Sequence, residues 1–117
     1  MDRPELTIGP DVPVAFVDVE TTGCALGRDR IIDVAVIGWR AGEVEYEWQS
    51  LVNPGGLVGA GTTALTGIDN DMLADAPSFA DIARELRERL AGRVFVAHNA
   101  RFDYGFLRRE FDRASPE

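Results

Sequence analysis

The stretch VAFVDV, residues 14–19, constrains the fold most. It is short, apolar and β-branched, the pattern of a buried strand. Its end carries Asp18 and Glu20, then breaks into Thr21, Thr22 and Gly23. Charge at the end of a core strand is costly unless a metal or a fixed partner compensates it. Strand alternation puts the two carboxylates on one face, about 6.5–7 Å apart at their Cα atoms.

The rest of the chain supplies a setting for that strand. Residues 1–12 read as a flexible lead-in, punctuated by Pro4 and Pro10. IIDVAVIGW predicts a second strand and GEVEYEWQSLV a third, with Val44, Tyr46 and Trp48 on one face and Glu43, Glu45 and Glu47 on the other. The short link RAG suits a tight hairpin, so three consecutive strands form an antiparallel meander at one side of a sheet. A long Gly/Thr/Asp-rich connection follows, with a short helical turn around TTALTG, and connections of this kind are often functional. SFADIARELRERLAG predicts a helix, with Ser78 as N-cap, Asp81 in capping-box position and Gly92 at the C-cap. RVFVAH predicts a short fourth strand. NARFDYGFLRREFDR predicts a second helix, capped by Asn99 and burying Phe102, Phe106, Leu107 and Phe111. The order β-β-β-α-β-α predicts an α/β domain, a mixed sheet with helices packed against it.

A length of 117 residues fits one domain. The net charge of −8 argues against a general nucleic-acid coat, whose affinity rests on neutralising phosphates. It leaves room for an enzyme that meets phosphate through bound divalent cations. No apolar stretch reaches the length of a membrane span, and MDRPELTIGPD lacks a signal-peptide pattern. With Cys24 as the single cysteine, a cytoplasmic location is expected.

Hard oxygen ligands such as Asp18 and Glu20 favour Mg²⁺ or Mn²⁺. Two such ions about 3.5–4 Å apart can clamp the attacking and leaving oxygens of a phosphodiester. A two-metal site needs a further carboxylate, and Asp103, near the start of a helix that follows a strand, is the leading candidate. Each residue also has a plainer reading. The Asp-x-Glu pair fits a solvated strand end, Asp103 a first-turn acid complementing the helix dipole, and His98 a hydrogen-bonded strand end. A phosphotransferase of the haloacid-dehalogenase type would need Asp-x-Asp, and Glu20 is too long for its second acid.

Taken together, FVDVETTG followed at a distance by VAHNARFDYGFLRREF resembles the DEDD superfamily of 3′→5′ exonucleases. The resemblance is to the DnaQ-like branch that includes the proofreading epsilon subunit of bacterial DNA polymerase III. It runs from about residue 14 to residue 112 and implies a ribonuclease H-like fold. It implies Asp18, Glu20 and Asp103 as catalytic metal ligands for two Mg²⁺ or Mn²⁺ ions. It further implies that Thr21, Thr22, Leu65, Ile68 and Phe102 grip the 3′-terminal nucleotide, with His98 and Asn99 beside the scissile end. Leu65, Ile68 and Phe102 also fit as core residues, and the Thr pair as shapers of the turn before Gly23. The implied partners are a single-stranded or frayed 3′ end of DNA and, for proofreading members, a polymerase subunit; RNA-trimming relatives share the same carboxylates. The family's third motif, a general-base His and a final Asp, has no counterpart after Asp103. The chain is therefore expected to be the N-terminal part of a C-terminally incomplete exonuclease domain with impaired activity. The alternatives are a non-catalytic module binding nucleic acid or a partner, and a second chain supplying the third motif.

Overall fold

A computed structural model describes residue 9 and residues 11–115. The expected lead-in falls largely outside these described residues. The elements are β1 (Val14–Thr21), β2 (Ile31–Arg40), β3 (Glu43–Leu51), α1 (Ala60–Thr66), α2 (Asn70–Ala74), α3 (Phe79–Leu90), β4 (Val94–Val96) and α4 (Ala100–Ala114). The six expected elements occur in the expected order, with two short helices inserted before α3. The helical turn around TTALTG is α1.

The sheet order is β3-β2-β1-β4. β1 and β3 run antiparallel to β2, and β4 runs parallel to β1. Residues 41 and 42 join β2 to β3 with positive φ at both positions, 53° at Ala41 and 81° at Gly42. That is the two-residue turn whose twist matches a hairpin. A register shift between Gly38 and Trp39 pairs Trp39 with Val44. Val44 is therefore exposed, and only Tyr46 and Trp48 of the expected apolar face pack on the core.

One face of the sheet is covered by α3 and α4. Val17, Val19, Val34 and Val36 meet Phe79, Ile82, Leu86, Phe106 and Leu107 there. α3 is closed by the capping box of Ser78 and Asp81, and Gly92 lies one residue beyond the C-cap Ala91, in the left-handed region. A second cluster of Ile32, Val58, Ile68 and Leu73 holds α2 and the segments flanking α1 against the start of β2. The opposite face of the sheet is open. Register pairs Phe16 with Ile37, Asp18 with Ala35 and Glu20 with Asp33, so both acids of β1 stand on that face.

Candidate active site

β4 pairs with β1 only from Val14 to Phe16. Beyond that point the edge of β1 is left to the first turn of α4. Asp103, on that turn, is 5% exposed and accepts a hydrogen bond from the Val19 N–H at 3.3 Å. The helix thus brings its buried acid to the strand residue that separates Asp18 from Glu20. Asp18 is exposed and Glu20 half-buried.

Desolvation shifts these groups first. Burial pushes the Glu20 carboxyl above the usual range, and the charges of Asp18, Asp33 and Asp103 push it further. Burial also raises Asp103; the Val19 N–H opposes this, Asp18 adds to it and His98 opposes it. Asp33 is raised by burial and by Asp18, against a hydrogen bond from Gln49 at 3.1 Å. Among the described residues, no three His, Cys, Asp or Glu side chains are gathered closely enough to hold one ion. The four carboxylates share a field without converging on one point.

Two clefts flank the strip. One, of about 290 Å³, is lined by Glu20, Thr21, Thr22, Thr62, Leu65 and Phe102 among others. The other, of about 200 Å³, is lined by Phe16, Asp18, Ile37 and His98. Leu65 is 87% exposed at the rim of the larger cleft, a placement that the burial of apolar area does not explain. Ile68 does not line this cleft; it is 5% exposed and packs with Ile32 and Leu73, so its apolar side chain serves the core. Asn99 occupies the N-cap position of α4 but makes no side-chain cap bond; its carbonyl accepts from the Asp103 N–H at 3.0 Å.

The two threonine hydroxyls are engaged within the loop after β1. Thr21 Oγ1 donates to the Gly23 carbonyl at 2.6 Å, and Thr22 Oγ1 donates to Asp29 at 3.0 Å while accepting from the Arg30 N–H at 3.0 Å. Asp29 also accepts from the Ala25 N–H at 2.8 Å, which with the Thr22 hydroxyl holds its carboxyl below the usual range. A Cβ on Gly23 would stand 2.5 Å from Asp29 Oδ2, so only glycine lets the loop close this tightly. Sequence reasoning missed Asp29, Asp33 and Thr62. Thr62 Oγ1 donates to the Thr22 carbonyl at 3.0 Å and ties α1 to the cleft. Asp33 carried a readable signal, an acid within an apolar strand; Asp29 and Thr62 carried none.

This arrangement defines a class, a ribonuclease H-like exonuclease fold. It is shared with solved structures of exonuclease I, such as the E. coli enzyme in complex with a dA16 oligonucleotide (TM-score 0.79, 22% identity, 89% of this chain and 24% of that chain). A product-bound exonuclease I superposes with a TM-score of 0.76 at 22% identity, over 89% of this chain and 26% of that chain. The chain belongs to the RNase_T exonuclease family, whose family model matches residues 15–117, and the DEDD-type resemblance stands. It is 40% identical over 107 residues to a PolC-type DNA polymerase III of Oceanobacillus iheyensis, covering 92% of this chain and 7% of that protein. It is 43% identical over 90 residues to the PolC-type enzyme of Bacillus subtilis, covering 77% of this chain and 6% of that protein. The chain thus spans less than a tenth of the length of these relatives. Exonucleases of this family generally use divalent metals. The donor set fits that use, because Asp18, Glu20, Asp33 and Asp103 offer only hard carboxylate oxygens, and among the described residues no basic side chain is ion-paired to them. Among the described residues no helix is long and apolar enough to cross a membrane.

Proposed function

We propose that this domain binds the 3′ end of single-stranded or frayed DNA and hydrolyses its terminal phosphodiester, releasing nucleoside monophosphates. The observation that carries this reading is the bond from Val19 to Asp103, which sets a third carboxylate beside the Asp18–Glu20 pair. Asp18, Glu20 and Asp103 would hold Mg²⁺ or Mn²⁺, two ions in a complete site. When bound, the ions supply activation of water and charge neutralisation on the phosphodiester. The chain's own residues bind and orient. Leu65 and Phe102 give the terminal base an apolar seat in the larger cleft, and the loop of Thr21 and Thr22 forms its wall. His98, exposed beside Asp18, stands at the scissile end with Asn99. A cytoplasmic site of action and work with a DNA polymerase, the activity for which the PolC-type relatives are named, are part of the same proposal.

The test uses Mn²⁺ binding followed by electron paramagnetic resonance, alongside 5′-labelled single-stranded DNA incubated with Mg²⁺ or Mn²⁺. Asp18→Asn and Asp103→Asn should each lower Mn²⁺ affinity at least about ten-fold, the size of effect already seen for groups that only support a ligand. Any shortening of the DNA should proceed from the 3′ end and be lost in the same variants. Unchanged Mn²⁺ binding in both variants would overturn the reading. A second reading, a non-catalytic module that holds a DNA end or a partner, is favoured by the carboxylates standing apart among the described residues. End-binding without shortening, both in this chain and in a version extended past Glu117, would select it.

A further inference from the structure

We propose that Arg30 and Glu110 act as a positioning pair that fixes where Asp103 stands relative to Asp18 and Glu20. The proposal rests on the reading of those carboxylates as a cation site. Glu110 lies seven residues after Asp103 on α4, two helical turns and roughly 10 Å further along, on nearly the same stripe. It is 1% exposed, and its carboxylate takes three donors. Arg30 Nη2 and Nε approach at 2.7 and 3.0 Å, and the Ile31 N–H donates at 2.9 Å.

The two buried acids of α4 therefore do matching things. Asp103 receives a backbone N–H from β1 and Glu110 one from β2. The rest of the α4 seat is apolar, Phe106 and Leu107 on the sheet, and apolar contact is non-directional. A helix held by one directional contact can still pivot about it; two, separated along its axis, fix its rotation and its register. A slip of one residue would rotate Asp103 by about 100° away from Val19.

Arg30 joins this anchor to the other half of the site. Its side chain grips Glu110, while its backbone N–H and carbonyl are both bonded to Thr22, at 3.0 and 2.9 Å. Thr22 closes the loop that follows Glu20. The end of β1 and the helix bearing Asp103 are thus referenced to one arginine. The ladder allows this because its register shifts between Glu20 and Thr21, where Thr21 pairs with Ile31 and Glu20 with Asp33.

The test compares the folded chain with Glu110→Gln, which keeps an acceptor for Ile31 but discharges the pair, and with Arg30→Lys, which keeps the charge but cannot fork. Amide hydrogen exchange is read at Val19, with Val36 and Leu86 as core references, and Mn²⁺ affinity is measured in parallel. In Glu110→Gln the Val19 amide should exchange about ten-fold faster relative to the references, with Mn²⁺ affinity about ten-fold lower. Arg30→Lys should shift both in the same direction by less, and it decides the matter if Glu110→Gln fails to fold. A folded variant with wild-type Val19 exchange and wild-type Mn²⁺ affinity would overturn the proposal, as would faster exchange spread equally over all three amides. Failure of the cation-site reading looks different: Asp103→Asn would then leave Mn²⁺ affinity unchanged, and the pair would be judged on Val19 exchange alone.

Discussion

Two buried carboxylates on α4 occupy opposite electrostatic circumstances. Glu110 is matched by a forked guanidinium, a backbone amide and, at 3.5 Å, Arg113. Asp103 accepts from the Val19 amide at 3.3 Å, with weaker help from its own N–H and from His98, and faces the charges of Asp18 and Glu20. A carboxylate that serves only the fold is fully satisfied, as Glu110 is. One left short of donors among other acids suits a site that an external cation completes. The contrast separates an acid that the fold itself satisfies from one that the proposed cation site would complete, within a single helix.

The contrast predicts unequal responses to mutation. Glu110→Ala leaves the Arg30 charge and the Ile31 amide without their acceptor, and should cost about 3 kcal/mol in urea unfolding, the low end for a buried pair because Arg30 is partly exposed. A loss below about 1 kcal/mol would erase the distinction. At the other end, a divalent cation at a hundred times its dissociation constant should stabilise the chain by about 2.7 kcal/mol. Thermal unfolding with and without Mg²⁺ measures this, and Asp18→Asn should abolish the shift. Asp103→Asn keeps an oxygen for the Val19 amide while removing a like charge. Without metal its stability should match the parent or exceed it by up to about 1 kcal/mol; a clear loss would make Asp103 a second structural acid.

The smallest expected effect is on pH. Glu20, Asp33 and Asp103 have folded values raised above their ordinary ones, chiefly by burial. The native state then binds more protons than the unfolded chain in the window just above about pH 4. Stability of the metal-free chain should therefore fall as pH rises through that window. Asp29, held low, contributes the opposite slope below it. Melting temperatures from pH 4 to pH 7 in chelator test the sign, and Mg²⁺ should flatten or reverse it.

Much of this was legible in the sequence because it rests on local rules. The Ala41–Gly42 hairpin, the Ser78–Asp81 capping box and the stripe of Phe106 and Leu107 each follow from short-range patterns. α1 and α2 were harder to read. They have 7 and 5 residues, with Gly and Thr in α1; α2 is seated by Leu73 in the cluster with Ile32, Val58 and Ile68, whereas α1 buries no residue and is tied down by Thr62 and by the flanking Val58 and Ile68. At the site, Asp18 and Glu20 share a face by simple alternation, and Asp103 could be placed from the strand preceding its helix. The loop of Thr22 and Asp29 and the pairing of Arg30 with Glu110, 80 positions apart, depend on contacts that no local pattern encodes. Even so, an acid at Glu110 on the apolar stripe of α4 was a visible anomaly.

The parallel pairing of β4 with β1 has a kinetic consequence. β1, β2 and β3 are contiguous hairpin partners, whereas Val14 pairs with Val94 across 80 positions. Such a closure carries a larger entropic barrier than a hairpin, so the meander is expected to organise first. Asp18 and Glu20 would then be displayed on a partly built sheet before α4 delivers Asp103 against their repulsion. Pulse-labelled hydrogen exchange during refolding should show residues 14–51 protected ahead of residues 94–114, with Mg²⁺ shortening the lag; simultaneous protection would contradict this order. The acidic strip would then be the last part of the molecule to mature, and a cation could act as a folding aid as well as a ligand.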